Sequence, residues 1–197
     1  ELLEWSKSSR VKIRRIFLPD VALKDEVLET LLQQIEEANV SVEYLSAGER
    51  MTDGALQISC LHPYAKKVPE DRNDASLVLR LSQGDFQMLL TGDLEKSGED
   101  WLMEQARPAT QNPLRCTILD AGHHGASNAT GEALLDLAQP GVVLISCGKN
   151  NRYGHPAPET LQRLEERGIR WYSTAEVGAI QVQVEKKKVK IKQYIQN

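Results

Sequence analysis

No stretch of this 197-residue chain approaches the roughly 20 consecutive apolar residues that cross a bilayer, so it holds no candidate membrane helix. A basic-then-apolar leader is lacking too. The chain opens Glu1-Leu2-Leu3-Glu4-Trp5 without an initiator Met, and an internal start is the expectation. Cysteine is scarce: Cys60, Cys116 and Cys147 are far apart, odd in number and set in apolar strand-like runs. That argues against a disulfide framework or a cysteine zinc site, and predicts three buried thiols. Charge of one sign is lacking as well. Lys and Arg number 24 against 28 Asp and Glu, and the net charge of −4 gives no compositional reason to bind nucleic acid. A DNA substrate would have to be held by a local patch or by metal ions.

What remains is an ordinary apolar content of 41% with well-mixed charge, which excludes disorder and favours one domain with a real core. Val27, Leu28, Leu31, Leu32 and Ile35 fall at helical spacing and predict an amphipathic helix within 21–38. Residues 11–18, 40–45 and 55–61 read as strands. Residues 76–81 and 86–90 read as a hairpin turning at Ser82-Gln83-Gly84-Asp85. A helix at 95–105, a strand at 115–119, a helix at 131–137 and a strand at 142–147 follow. The next helix is expected to take Pro156 in its first turn and to stop at Gly168. Three strands close the chain at 169–172, 179–184 and 189–195, and residues 1–7 read as the tail of a helix. Lys186 to Lys188 reads as a solvated turn. Alternating strands and helices with two hairpins predict an α/β sandwich of sheets covered by helices.

All four histidines stand at predicted strand ends, where α/β folds collect their ligands: His62, His123, His124 and His155. Asp93 stands at another. Each residue has a functional and a structural reading. The Asp93 carboxylate can bridge two cations or cap the following helix. His123 and His124, flanked by Gly122 and Gly125, offer neutral imidazoles suited to zinc or manganese. Adjacent side chains diverge, so one binds and the other supports it or faces the substrate. The loop from Gly148 to His155 ends at a helix N-terminus. Lys149, Arg152 and Tyr153 can hold a phosphate there, or the loop is a polar turn with His155 as its cap. His155 itself can bind metal, donate to a phosphate oxygen or act as acid or base. Ser127, Asn128 and Thr130 form a second phosphate cradle or plain helix caps.

Three segments carry a resemblance. Leu89-Leu90-Thr91-Gly92-Asp93-Leu94-Glu95 resembles the aspartate motif of the metallo-β-lactamase superfamily. His123-His124-Gly125-Ala126-Ser127 resembles the His-His-Gly-Ser motif of its ComEC branch. The run Val143-Leu144-Ile145-Ser146-Cys147-Gly148-Lys149-Asn150-Asn151-Arg152-Tyr153-Gly154-His155-Pro156 is very close to that branch's hallmark. Phe17-Leu18-Pro19, Leu61-His62-Pro63 and the segment from Asp74 to Arg80 fit the stretches between. The chain thus resembles the metallo-β-lactamase-fold domain of the ComEC competence proteins along essentially its whole length.

The resemblance implies an αββα sandwich with mixed sheets and a dinuclear centre of zinc or manganese at one edge. Asp93 and His123 would be metal ligands there, and His155 and His124 would assist catalysis. The family conducts single-stranded DNA across the membrane in natural transformation, and this domain is thought to degrade the strand that is not imported. That implies DNA and the membrane channel domain of the same parent as partners. It places the parent in a bacterial plasma membrane, with this domain on the extracytoplasmic side. The departures also carry expectations. The family's His-x-His-x-Asp-His motif is absent, since no His precedes His62; Ala126 stands where Ser is usual and Asp120 where Lys or an apolar residue is commoner. Residues 1–197 are therefore expected to form an N-terminally incomplete domain. It would hold no ion or one weakly bound ion, be inactive alone and self-associate through an exposed sheet edge. A hydrolase of small esters or lactones on the same fold, and a non-catalytic module docking DNA or the channel, are the rival expectations.

Overall fold

Apolar residues at positions 28, 31, 32 and 35 do form a helix, α1 (Glu26–Glu37), and its Ile35 is 1% exposed. Glu26 and Glu29 in its first turn favour the positive end of the helix dipole. Asn39, at φ 53°, closes it: the Val40 N–H donates to the Ile35 carbonyl and the Asn39 N–H to Glu36, the paired bonds of a left-handed helix end. The computed structural model describes residues 3, 12–22, 26–65, 68, 69, 71–106, 110, 112–185 and 188–194. Of the helix tail expected at 1–7 only residue 3 is among these, and residues 186–187 of the Lys-rich turn and the start of the first predicted strand lie outside them.

The strands are β1 (Arg15–Pro19), β2 (Ser41–Leu45), β3 (Arg50–Asp53), β4 (Leu56–His62), β5 (Val78–Gln83) and β6 (Phe86–Leu90). The series continues with β7 (Ile118–Asp120), β8 (Val142–Ile145), β9 (Arg170–Ser173), β10 (Ala179–Glu185) and β11 (Lys188–Tyr194). The helices after α1 are α2 (Lys96–Ala106), α3 (Glu132–Ala138), α4 (Pro158–Glu166) and the short α5 (Thr174–Val177). Seven strands form one mixed sheet in the order β3-β4-β5-β6-β7-β8-β9. Its first three pairings are antiparallel and its last three parallel. A parallel pair, β1-β2, and an antiparallel pair, β10-β11, stand as two further sheets. This mixed α/β architecture with one large mixed sheet is the expected class.

β7 and β8 are buried on both faces, which is why they read as unbroken apolar runs. Ile118, Leu119, Val143 and Ile145 are at most 1% exposed. Leu119, Val143 and Ile145 join Leu89, Leu94, Leu102, Leu134, Leu135 and Leu164 in a core built from the sheet and from α2, α3 and α4.

Several expectations need correction. The hairpin turn is shorter than predicted: Gln83 pairs with Phe86, so the loop is Gly84-Asp85, with Gly84 at φ 59°. β3 and α5 were not expected. Arg50-Met51-Thr52-Asp53 has no alternation to betray it, being an edge strand held by a turn at Gly54. α4 starts at Pro158, not Pro156, with Ala157 as its N-cap in extended backbone. The Ala157 N–H donates to the Gly125 carbonyl, which holds residues 156–157 against the loop after β7 and delays the helix by two residues. His155 is therefore not its cap. Cys60 and Cys116 are buried as expected, but Cys147 is only half-buried. Among the described residues no helix is long and apolar enough to cross a membrane.

Candidate functional site

β6, β7 and β8 are parallel neighbours, so their C-terminal ends open side by side. The loops that follow carry Asp93, then His123 and His124, then the segment from Ser146 to His155. Adjacent parallel strands are the reason these distant segments meet.

The first loop is pinned to its neighbours. Gly92 sits at φ 58°, where a side chain would meet Ser76 Cβ at 3.2 Å. The Asp93 N–H donates to Ser76 Oγ at 3.1 Å, and Thr91 Oγ1 donates to the Asp120 carbonyl at 2.8 Å. The second loop is strained. His123 (φ 46°, ψ 48°) and His124 (φ 58°, ψ 22°) are both left-handed, a conformation that residues other than Gly adopt only when their surroundings enforce it. Those surroundings are visible. The His123 N–H donates to the Gly92 carbonyl, Ala126 N–H to the His123 carbonyl, and Gly122 N–H to Thr130 Oγ1. Gly122 and Gly125 have no room for a side chain: an added Cβ would lie 2.8 Å from the Leu94 carbonyl oxygen or 3.0 Å from Pro156 Cβ.

The turn splays the two imidazoles apart. His124 Nδ1 lies 2.7 Å from the Ser146 carbonyl and must donate to it, leaving a lone pair on Nε2. That Nε2 is 3.7 Å from an Asp93 carboxylate oxygen. His123 turns the other way, with Nδ1 2.8 Å from Glu95 Oε1. Glu95 is itself fully engaged, accepting from Asn73 Nδ2 on Oε1 at 2.8 Å and from Asn128 Nδ2 on Oε2 at 2.6 Å. A carboxylate so held orients an imidazole rather than meeting a ligand itself.

His155 completes the group. Its ring centre is 5.6 Å from that of His123 and 5.9 Å from that of Tyr153, which lies nearly parallel at 16°. Asn151 clamps the loop: its Nδ2 donates to the carbonyls of Gly148 and His155, and its Oδ1 accepts from the N–H groups of Tyr153 and His155. His155 Nδ1 is shut off from solvent and has no hydrogen-bond partner. Burial lowers the pKa of His155, and His123 and His124 lower it further, so this imidazole favours the neutral form. Asp120, at the end of β7, moves the other way. Burial pushes its carboxyl up to about 6, His124 opposing and Asp93 adding to the shift.

A cleft of about 390 Å³ opens over these residues, lined by His124, Ser146, Cys147, Asn151, Tyr153 and His155 among others. The structure thus brings Asp93, His123, His124, His155 and Tyr153 together. Arg152 stays close by, its guanidinium 4.9 Å from the Tyr153 ring centre. Lys149 lines a neighbouring depression. Ser127 and Thr130 are not brought to the cleft. The Ser127 carbonyl accepts from Arg163, and the residue borders a separate hollow with Glu99 and Asp100. Thr130 is fully buried and its hydroxyl is committed to Gly122, so it shapes the loop from behind. His62 is fully buried, its Nδ1 2.9 Å from the Ser76 carbonyl, and belongs to the packing. Glu95 and Asn151 were not singled out as site residues, although Glu95 stood inside the aspartate motif and Asn151 inside the run from Val143 to Pro156. Asp120 was noted only as a departure from the family pattern.

The Asp93–His124 pair suits a divalent cation. Two electron-pair donors 3.7 Å apart can both lie at the roughly 2.0–2.2 Å typical of zinc–ligand bonds to one ion. Among the described residues, no group of three or more His, Cys, Asp or Glu side chains is placed to hold an ion alone.

No family model matches the sequence. Among curated proteins, the chain is 36% identical over 170 residues to ComE operon protein 3 of Bacillus subtilis, covering 86% of this chain and 21% of that protein. It is 30% identical over 135 residues to competence protein ComA of Neisseria gonorrhoeae, covering 68% and 19%. With recombination protein 2 of Haemophilus influenzae it shares 29% over 150 residues, covering 76% and 18%. The chain spans about a fifth of the length of these relatives. Among solved structures, CmlA, a diiron beta-hydroxylase from Streptomyces venezuelae, superposes with a TM-score of 0.53 at 13% identity, over 82% of this chain and 38% of that one. The metallo-beta-lactamase fold protein YhfI from Bacillus subtilis gives 0.46 at 10% identity, over 86% and 66%. At such identities a structural likeness speaks to fold alone. The chain belongs to the ComEC family of competence proteins.

Proposed function

We propose that this chain carries part of the hydrolytic centre of a metal-dependent phosphodiesterase, which in its parent degrades the non-imported DNA strand during natural transformation. The observation that carries this reading is the Asp93–His124 pair, 3.7 Å apart with its donors facing one another beside His123 and His155. Divalent ions, zinc or manganese, supply hydroxide and neutralise phosphate charge in such centres. Asp93 and His124 would hold one side of an ion, and His123, oriented by Glu95, would offer its Nε2 nearby. Two ions need about six ligand atoms, more than the described residues bring together. In the family the His-x-His-x-Asp-His motif is the further source. His155, whose imidazole favours the neutral form, would first take up a proton as a base and then, as the imidazolium, return it to a leaving oxygen. Arg152 and Lys149 would meet the flanking phosphates.

The same reading puts the parent in a plasma membrane, with this domain on the extracytoplasmic side beside the channel domain. β3 and β9 end the seven-stranded sheet among the described residues, and an edge of this kind favours pairing with a second copy. The test is a parent polypeptide carrying this segment. Asp93→Ala and His124→Ala should each lower manganese-dependent release of soluble label from DNA by about 100-fold or more, at unchanged protein abundance. Undiminished release by Asp93→Ala would sink the assignment. The 197-residue chain alone should bind at most one zinc ion by calorimetry and cleave no DNA.

A further inference from the structure

The hairpin β10-β11 has two unlike faces. In its register Val182 faces Ile191 and Val184 faces Val189, all half-buried. The alternate positions of β11 place Lys188, Lys190, Lys192 and Tyr194 on the opposite, exposed face. Their partners there are Glu185, Gln183, Gln181 and Ala179. Three cations thus stand in a row at roughly 6.8 Å intervals, twice the rise of a strand residue. On a protein of net charge −4 this is a local concentration. Glu185 is the one acid on that face. Its pair with Lys190, at 2.7 Å, is about half exposed on both sides and so is weak enough for a phosphate to replace.

The row does not end in open surface. Tyr194, 51% exposed, borders a depression of about 490 Å³ together with Lys149, Thr174 and Glu176. Thr174 also borders the His124–His155 cleft. Its hydroxyl accepts from the Cys147 N–H at 2.9 Å and donates to the Cys147 carbonyl at 2.8 Å. The depression thus meets the hairpin at Tyr194 and shares Thr174 with the cleft; Lys149 and Tyr194 border the depression and Tyr153 borders the cleft.

We propose that this surface is a track for single-stranded DNA, along which the lysines of β11 and Lys149 hold phosphates while Tyr194 and Tyr153 stack on bases. It rests on the reading of the cleft as a DNA phosphodiesterase and extends it by saying how the strand arrives. Cations accompanied by exposed aromatic rings suit a single strand, whose base faces are free; a duplex hides them. An anionic membrane is served less well, because the lysine face carries no aliphatic side chain to embed.

Fluorescence anisotropy of a labelled oligothymidylate with the full 197-residue chain, in EDTA, reads binding without hydrolysis. Lys188→Gln, Lys190→Gln and Lys192→Gln combined should weaken binding at least tenfold. They should also lower the slope of log K against log salt by about 2, at roughly 0.7 per phosphate contact. Tyr194→Ala should weaken binding about tenfold, whereas Lys96→Gln, on α2, should leave it unchanged. The track is overturned if the unaltered chain does not bind, if the triple variant binds as tightly, if Lys96→Gln weakens binding equally, or if duplex binds as well as the single strand. Recruitment to phosphatidylserine vesicles through the same lysines, without oligonucleotide binding, overturns it in favour of a membrane surface. An inert parent enzyme would remove the hydrolytic reading and leave this measurement untouched.

Discussion

The stretch from β5 to α4 and the stretch before it are built to different standards. Every fully buried member of the main core lies between Val78 and Leu164. The unit β1-α1-β2 contributes Ile35 and Leu45 to the interior, while Val27 is 64% exposed, Leu31 36% and Tyr44 51%. The strained His123-His124 turn sits in the densely packed stretch, where strands and glycines without room for a side chain hold it. Strain of this kind, about 1–3 kcal/mol per residue, survives only where the surroundings over-determine it. The site therefore stands where the packing is densest, and the thinner unit can change with less consequence for it.

The largest effect that can break this comparison is in the core. Leu119→Ala, at a fully buried position on β7, should lower stability in urea by about 2–5 kcal/mol. Leu31→Ala on α1 should lower it by under about 1 kcal/mol, since the side chain is already partly in water. Equal losses would mean that the two regions share one core. A smaller effect comes from the glycine under the turn. Gly122→Ala puts a Cβ 2.8 Å from a backbone oxygen, so something must shift, at about 1–3 kcal/mol. The shift should reach His123 and change its imidazole resonances, while those of His62, in the packing, stay in place.

Much of this was legible in sequence, for physical reasons that also mark the limit. Parallel buried strands leave continuous apolar runs, so β7 and β8 could be placed. Amphipathic spacing placed α1, and glycines beside two histidines marked their loop as a candidate site. What escaped was set by tertiary contact. β3 is an edge strand without alternation, and the start of α4 depends on a bond from Ala157 to Gly125 that no local pattern encodes. Thr130 looked like a surface cap and is buried, because Glu99 and Gly122 close around it. Likewise, which of the paired histidines faces Asp93 depends on the Ser146 carbonyl and on Glu95, both remote in sequence.

A smaller test sharpens the comparison through pH. The Asp120 carboxyl, ordinarily at 3.8, is pushed up to about 6 by burial in the folded chain. The fold therefore binds this proton more tightly than the unfolded chain does. The carboxyl supports the fold fully below its unfolded range, and that support is lost as pH rises through about 6. Asp120→Asn should raise the urea midpoint above pH of about 7 and lose the advantage below pH of about 4. A midpoint gain independent of pH would show that the cause is not the buried charge.

The smallest expected effect concerns the three thiols, and needs no substitution to read. Cys60 and Cys116 are 2% and 5% exposed, and burial pushes their pKa values up to about 11 and about 12, so little thiolate forms at neutral pH. Cys147 is half-buried, lines the cleft, and lies 3.2 Å from the Ser173 hydroxyl. Iodoacetamide under native conditions should therefore modify Cys147 first, as located by peptide mass. The other two should react only on the timescale of unfolding, Cys60 on β4 included. If Cys60 reacts as fast as Cys147, β4 opens locally while the cleft is intact, and the thinner packing reaches into the large sheet. If all three stay protected until global unfolding, the cleft is closed to a reagent of this size, and the route from the lysine face to His155 is closed with it.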